Sequence, residues 1–119
     1  MRRTILGIVL AALAVPALAA NYPVSGRWGA GAAPAKGPVD CTKLRVIAFN
    51  GNQRTDSSGG VRAYQNRSVT PEGGGFRVVD VFTTGQISNA HVTYMLRPIN
   101  ATHLDMTQNG ATLKLQRCK

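Results

Sequence analysis

From Asp40 onward, short runs of alternating apolar and polar residues are broken by Gly, Pro, Asn and Asp, and no helix-length window carries a 3.6-residue period. Such runs predict strands. They are Lys43 to Asn50, Val61 to Val69, Gly75 to Thr84, Ala90 to Arg97, Thr102 to Gln108 and Ala111 to Cys118, preceded by a first short strand around Gly26, Arg27 and Trp28. Gly51 to Gly60 (GNQRTDSSGG) reads as a polar loop, Pro71 to Gly74 as a turn, and Gly85, Pro98 and Asn109-Gly110 as further breaks. Asn109-Gly110 is the sharpest of these, because both residues tolerate the positive φ that a two-residue hairpin turn demands. Residues 29–39 (GAGAAPAKGPV) lack periodicity and predict a flexible connection between the first strand and the rest.

Strand parity then assigns faces. Val92, Tyr94 and Leu96 share one side with His91, Thr93, Met95 and Arg97 opposite, and Leu113 and Leu115 oppose Lys114 and Gln116. The apolar sets should face the core. Six to eight antiparallel strands of this length must close or stack to hide their edges, so the expected fold is all-β, a small antiparallel barrel. Asp80 lies between Val79 and Val81 on the parity of Phe76, Val78 and Phe82. If that face points inward, Asp80 is a buried carboxylate that needs an Arg partner. Because both faces of this strand are apolar, parity does not decide, and a cross-strand surface pair is the preferred reading.

The amino-terminal residues follow a different pattern. Arg2 and Arg3 precede an apolar run from Ile5 to Val15, then Pro16 and Ala17-Leu18-Ala19. That is the layout of a secretory signal, with small residues at the cleavage site and a core too short for a comfortable transmembrane helix. Residues 1–19 are therefore expected to be removed, leaving residues 20–119 as one domain in a periplasmic or secreted location. The two cysteines, Cys41 and Cys118, should then form one disulfide. Closing a loop of that length contributes on the order of 4 to 5 kcal/mol before native strain is subtracted. By parity the bridge belongs on the polar side or rim of the sheet, tying the last strand to the second.

Composition narrows the chemistry. The chain carries 14 Lys+Arg against 5 Asp+Glu, a formal charge of +9 that falls to +7 when Arg2 and Arg3 leave with the signal. A basic domain favours anionic partners, such as an anionic envelope component, and opposes cationic ones. Nucleic acid is a poor partner, since the cations are scattered singly and the domain is exported. Two histidines, five dispersed carboxylates and no free thiol leave little from which to assemble an active site, so a non-enzyme without a cofactor is expected, as a monomer. His103 and Asp105 share a face and His91 belongs to another strand, but no spacing nominates a third or fourth metal ligand. A solvated polar face is the simpler reading, and no metal site is expected. Arg62 and Tyr64 share a strand face, a cation beside an aromatic that could hold an anionic headgroup or sugar. Gly73-Gly74-Gly75 lacks the Lys and the helix of a phosphate loop, and the sequons at Asn66 and Asn100 are discounted because the Ala-rich signal looks bacterial.

Gly26-Arg27-Trp28 on a first short strand just after a signal, followed by antiparallel strands and a basic residue on the last, resembles the calycin barrels: lipocalins, avidins and small bacterial periplasmic inhibitors. The resemblance implies that Trp28 plugs one end of the barrel, beneath an Arg from a late strand. Arg117 is the first choice for that cover and Arg97 the second. The Thr-Asp-Tyr turn motif of lipocalins is absent, which points away from a deep ligand cavity. The functional expectation is an exported binding module, a periplasmic inhibitor of a hydrolase or a small-ligand binder, touching its target with loop 51–60 and the arm 29–39. The alternative is a structural envelope-associated basic protein.

Overall fold

Strands of four to eleven residues joined mostly by tight turns can hide their edges only by closing on themselves. The computed structural model describes residues 21–119 and shows that closure; the predicted signal at 1–19 lies outside the described residues. The elements are β1 (Gly26–Ala30), β2 (Arg45–Asn50), β3 (Gln53–Asp56), β4 (Tyr64–Glu72), β5 (Gly75–Phe82), β6 (Ala90–Asn100), β7 (His103–Gln108) and β8 (Ala111–Arg117). Each pairs antiparallel with its neighbour in sequence, and β1 pairs with β8 through Trp28 opposite Arg117 and Ala30 opposite Leu115. The result is an all-β, eight-stranded closed barrel.

Inward positions fill the barrel. Trp28, Ile47, Phe49, Val78, Tyr94, Leu96, Leu104 and Leu115 are buried together, with Asp80 among them. The interior is thus occupied by side chains, as expected for a barrel of this strand number. The predicted faces on β6 and β8 hold for Tyr94, Leu96 and Leu115 inside and Thr93, Arg97 and Lys114 outside. Gln116 is outward by parity and still buried, because the connection before β2 lies over it.

Four sequence expectations change. Gln53–Asp56, read as part of a polar loop, is β3, paired with both β2 and β4. Its inward residues are Arg54 and Asp56, so its apolar face is missing from the sequence. Pro71 lies within β4, and the turn narrows to Gly73 and Gly74, both at positive φ. Pro98 lies within β6 at a register irregularity toward β7, where a missing N–H is tolerated. The Asn109-Gly110 turn has both residues at positive φ, as its hairpin requires.

The fourth change concerns residues 31–44. Instead of a free arm they form a strap over the outside of β8 and β1. Gln116 accepts from the Ala35 amide and donates to the Ala33 carbonyl, Thr102 donates to the Lys36 carbonyl, and Val39 bridges Cys118 in parallel. The Cys41–Cys118 disulfide fastens the strap, with Cα atoms 5.5 Å apart. It ties the last strand to the strap and not to β2, which begins at Arg45. Gly29 makes this possible, since a Cβ there would lie 2.6 Å from the Cys41 sulfur.

Candidate functional site

The two ends of the barrel differ. At one end the segment before β1 crosses the opening, anchored by the Tyr22 amide to the Gly51 carbonyl, and Tyr22 inserts its ring edge-on against Phe49. Trp28 is 2% exposed and donates from Nε1 to the Ser25 carbonyl at 3.1 Å. The Arg117 guanidinium lies 4.4 Å from the indole centroid and donates to the carbonyls of Ala101 and Ser25. A guanidinium face suits indole, so Arg117 both stacks on the ring and joins β8 to the crossing segment. Gly26 sits at φ 93, and a Cβ there would come 2.8 Å from Arg117 Nη1. The glycine therefore meets a backbone demand and a space demand at once. Arg97 is exposed on the outer face, opposite Asp105 in register, and does not reach the indole end.

Midway up the interior stands a polar cluster centred on Asp80, which is inward and fully buried, so the surface-pair reading is overturned. Its Oδ2 accepts from Arg54 Nε at 2.9 Å and Tyr94 Oη at 2.7 Å. Its Oδ1 accepts from Tyr22 Oη at 2.9 Å and Asn66 Nδ2 at 3.2 Å. Four donors on one carboxylate supply what burial of that charge demands. Burial, followed by the Asp80 charge, pushes the Tyr22 hydroxyl well above its ordinary pKa. Tyr94 is also raised, by burial first and by Asp80, with Arg54 working against the shift. Burial opposes the charge on Arg54, but Tyr94 and Asp80 outweigh it and hold the guanidinium above its usual value. Asn66 Oδ1 is the one buried side-chain polar atom without a hydrogen-bond partner among the described residues.

At the opposite end the barrel opens into a mouth of about 280 Å³ lined by Arg45, Arg54, Asp56, Tyr64, Phe82, His91, Val92, Met106 and Gln108. Arg45 and Asp56 form a two-pronged ion pair on its rim, at 3.0 and 2.7 Å. Burial works to raise the Asp56 carboxyl, but the Arg45 fork and the Ser58 amide prevail and hold it below its usual range. Arg54 forms the floor, 3.8 Å from the Tyr64 ring centroid and 4.8 Å from that of Tyr94, and Tyr64 meets Phe82 edge-on.

Of the residues singled out in the sequence, Trp28, Gly26 and Arg117 come together, as do Cys41 and Cys118. Arg62 and Tyr64 do not: Arg62 precedes β4 and is exposed, whereas Tyr64 points inward with Arg54 as its cation. His103 bonds through Nδ1 to Thr102 and Asn100, Asp105 faces Lys114 at 3.6 Å, and no group of three or more metal-ligating residues gathers among the described residues. Sequence reasoning missed Arg45, Arg54 and Asp56. The available signal was Asp80 itself, whose apolar flanks required a cation from another strand. Comparison of the chain with protein-family models, curated proteins and solved structures finds no match.

Proposed function

We propose that the chain is an exported, non-enzymatic binding module of calycin-like type, a periplasmic or secreted inhibitor or small-ligand binder, that recognises its target with the open end of the barrel. The supporting observation is the contrast between the two ends. One is covered by Tyr22, Trp28 and Arg117, with a hollow of about 440 Å³ beside that cover, whereas the other presents the mouth, floored by Arg54, beside the loops at 57–63, 83–89 and 109–110. Loops held on a rigid, disulfide-strapped sheet are where such domains carry recognition. A filled interior favours contact at the rim over carriage of a large ligand inside. The strap, occupied against β8, is no longer the contact arm.

Thermal shift of the mature chain against secreted metalloproteases, serine proteases and small-ligand panels tests this reading, with lysozyme as the cationic control. Stabilisation by one partner class that survives a few hundred millimolar salt is the expected result. No shift with any of them overturns it.

A second reading, a structural envelope-associated basic protein, draws on the ion pairs. Asp56, Glu72, Asp80 and Asp105 are each paired with a cation, so the remaining Lys and Arg of the described residues have almost no carboxylate to offset them. Retention on anionic envelope polymers that vanishes at moderate salt, without any ligand shift, supports that reading instead.

A further inference from the structure

Arg54 is 3% exposed, and its only side-chain hydrogen bond among the described residues runs from Nε to Asp80. The rings of Tyr64 and Tyr94 lie within cation–π distance of its guanidinium. Its two terminal nitrogens, Nη1 and Nη2, have no hydrogen-bond acceptor among the described residues, and Arg54 lines the mouth. That guanidinium edge borders the mouth and is free to donate to a ligand, and its planar fork matches a carboxylate bonded through both oxygens. Loop or surface arginines point such an edge into water. Here it forms the floor of a cavity.

We propose that the mouth is a binding site for a small monocarboxylate with a planar or apolar body, its two oxygens accepting from Arg54 Nη1 and Nη2. This deepens the binding-module reading and rests on it. The charges near the floor cancel, Arg45 and Arg54 against Asp56 and Asp80, which suits a single negative charge and opposes a phosphate dianion. Phe82, Val92 and Met106 supply an apolar wall for the body of the ligand, and Gln108 and His91 stand at the rim as further polar groups. A volume of about 280 Å³ admits a benzoate-sized molecule and excludes a long acyl chain from full enclosure.

The test is titration of the mature, disulfide-bonded protein with sodium benzoate at low salt, by calorimetry and by NMR of the arginine side-chain N–H groups. Benzamide, which keeps the ring and loses the charge, and inorganic phosphate serve as controls. Benzoate should bind saturably and shift the Arg54 resonances, with benzamide weaker by about ten- to a hundredfold and phosphate weaker still. Arg54→Lys should weaken benzoate binding about tenfold or more, because the fork is lost. Should that variant fold poorly, Gln108→Trp, at the rim of the mouth on β7 and away from the strand that carries Asp80, leaves Arg54 in place, fills the mouth and should abolish binding. Equal affinity for benzoate and benzamide, no saturable binding by about 10 mM, or binding unaffected by Gln108→Trp each overturns the proposal. Failure here, with a protein target still stabilising the chain, leaves the binding module standing and removes only the carboxylate.

Discussion

At the scale of single residues, the interior is organised by one carboxylate. Asp80 is compensated by Arg54, Tyr22, Tyr94 and Asn66, drawn from β3, the crossing segment, β6 and β4. Such a centre is costly to break and cheaper to remove whole. Arg54→Leu should therefore destabilise the fold by about 3 to 5 kcal/mol, while the double variant Arg54→Leu, Asp80→Leu should recover much of that loss, as read from urea midpoints. The tyrosines give a second outcome. Their folded pKa values lie above the unfolded value, so the stability they contribute is complete below about pH 10 and declines as pH rises beyond it, where only the unfolded chain ionises. Urea midpoints should fall between about pH 10 and 11.5, and Tyr94→Phe should flatten that slope. The need for a partner could be read from the valines flanking Asp80. Its location could not, since Arg54 is remote in sequence and its strand alternates polar with charged residues.

At the scale of elements, legibility followed the apolar alternation. β6 and β8 were readable because Tyr94, Leu96 and Leu115 repeat every second residue toward the core, and the Asn109-Gly110 turn was readable from its φ requirement. β3 was invisible because its inward residues are charged and are neutralised only by residues that folding brings near. The strap was invisible for a different reason: its bonds are made by Gln116, Thr102 and the disulfide, which carry no periodic signature. The pairing of Cys41 with Cys118 was legible, but the element that it holds was not. Cys41→Ser should cost about 2 to 4 kcal/mol, less than the loop-closure figure if the strap keeps part of its bonding. Hydrogen exchange then distinguishes strap from barrel. The amides of Ala35, Val39 and Lys119, which are bonded across the strap, should lose protection first, ahead of those in β5 and β6.

At the scale of the whole molecule, closure through β1 and β8 makes Trp28 a reporter of the entire barrel. β1 is bonded on both sides, to β2 and to β8, and the indole lies beneath Arg117 from the last strand. The ring cannot leave its place without opening the seam between the first and last strands. Native emission should consequently be blue-shifted and resist iodide, and its loss in urea should coincide with the loss of the far-ultraviolet strand signal in one transition. Trp28→Ala removes a buried indole and leaves Arg117 over a cavity, at a cost of roughly 3 to 5 kcal/mol, comparable to the whole margin of a domain this small. That variant should fail to accumulate. Trp28→Phe, which keeps a ring beneath the guanidinium, should fold with reduced stability. A Trp signal that changes well before the strand signal would mean that the crossing segment and β1 detach while the remaining strands stay paired, and the closed barrel would then not be the cooperative unit.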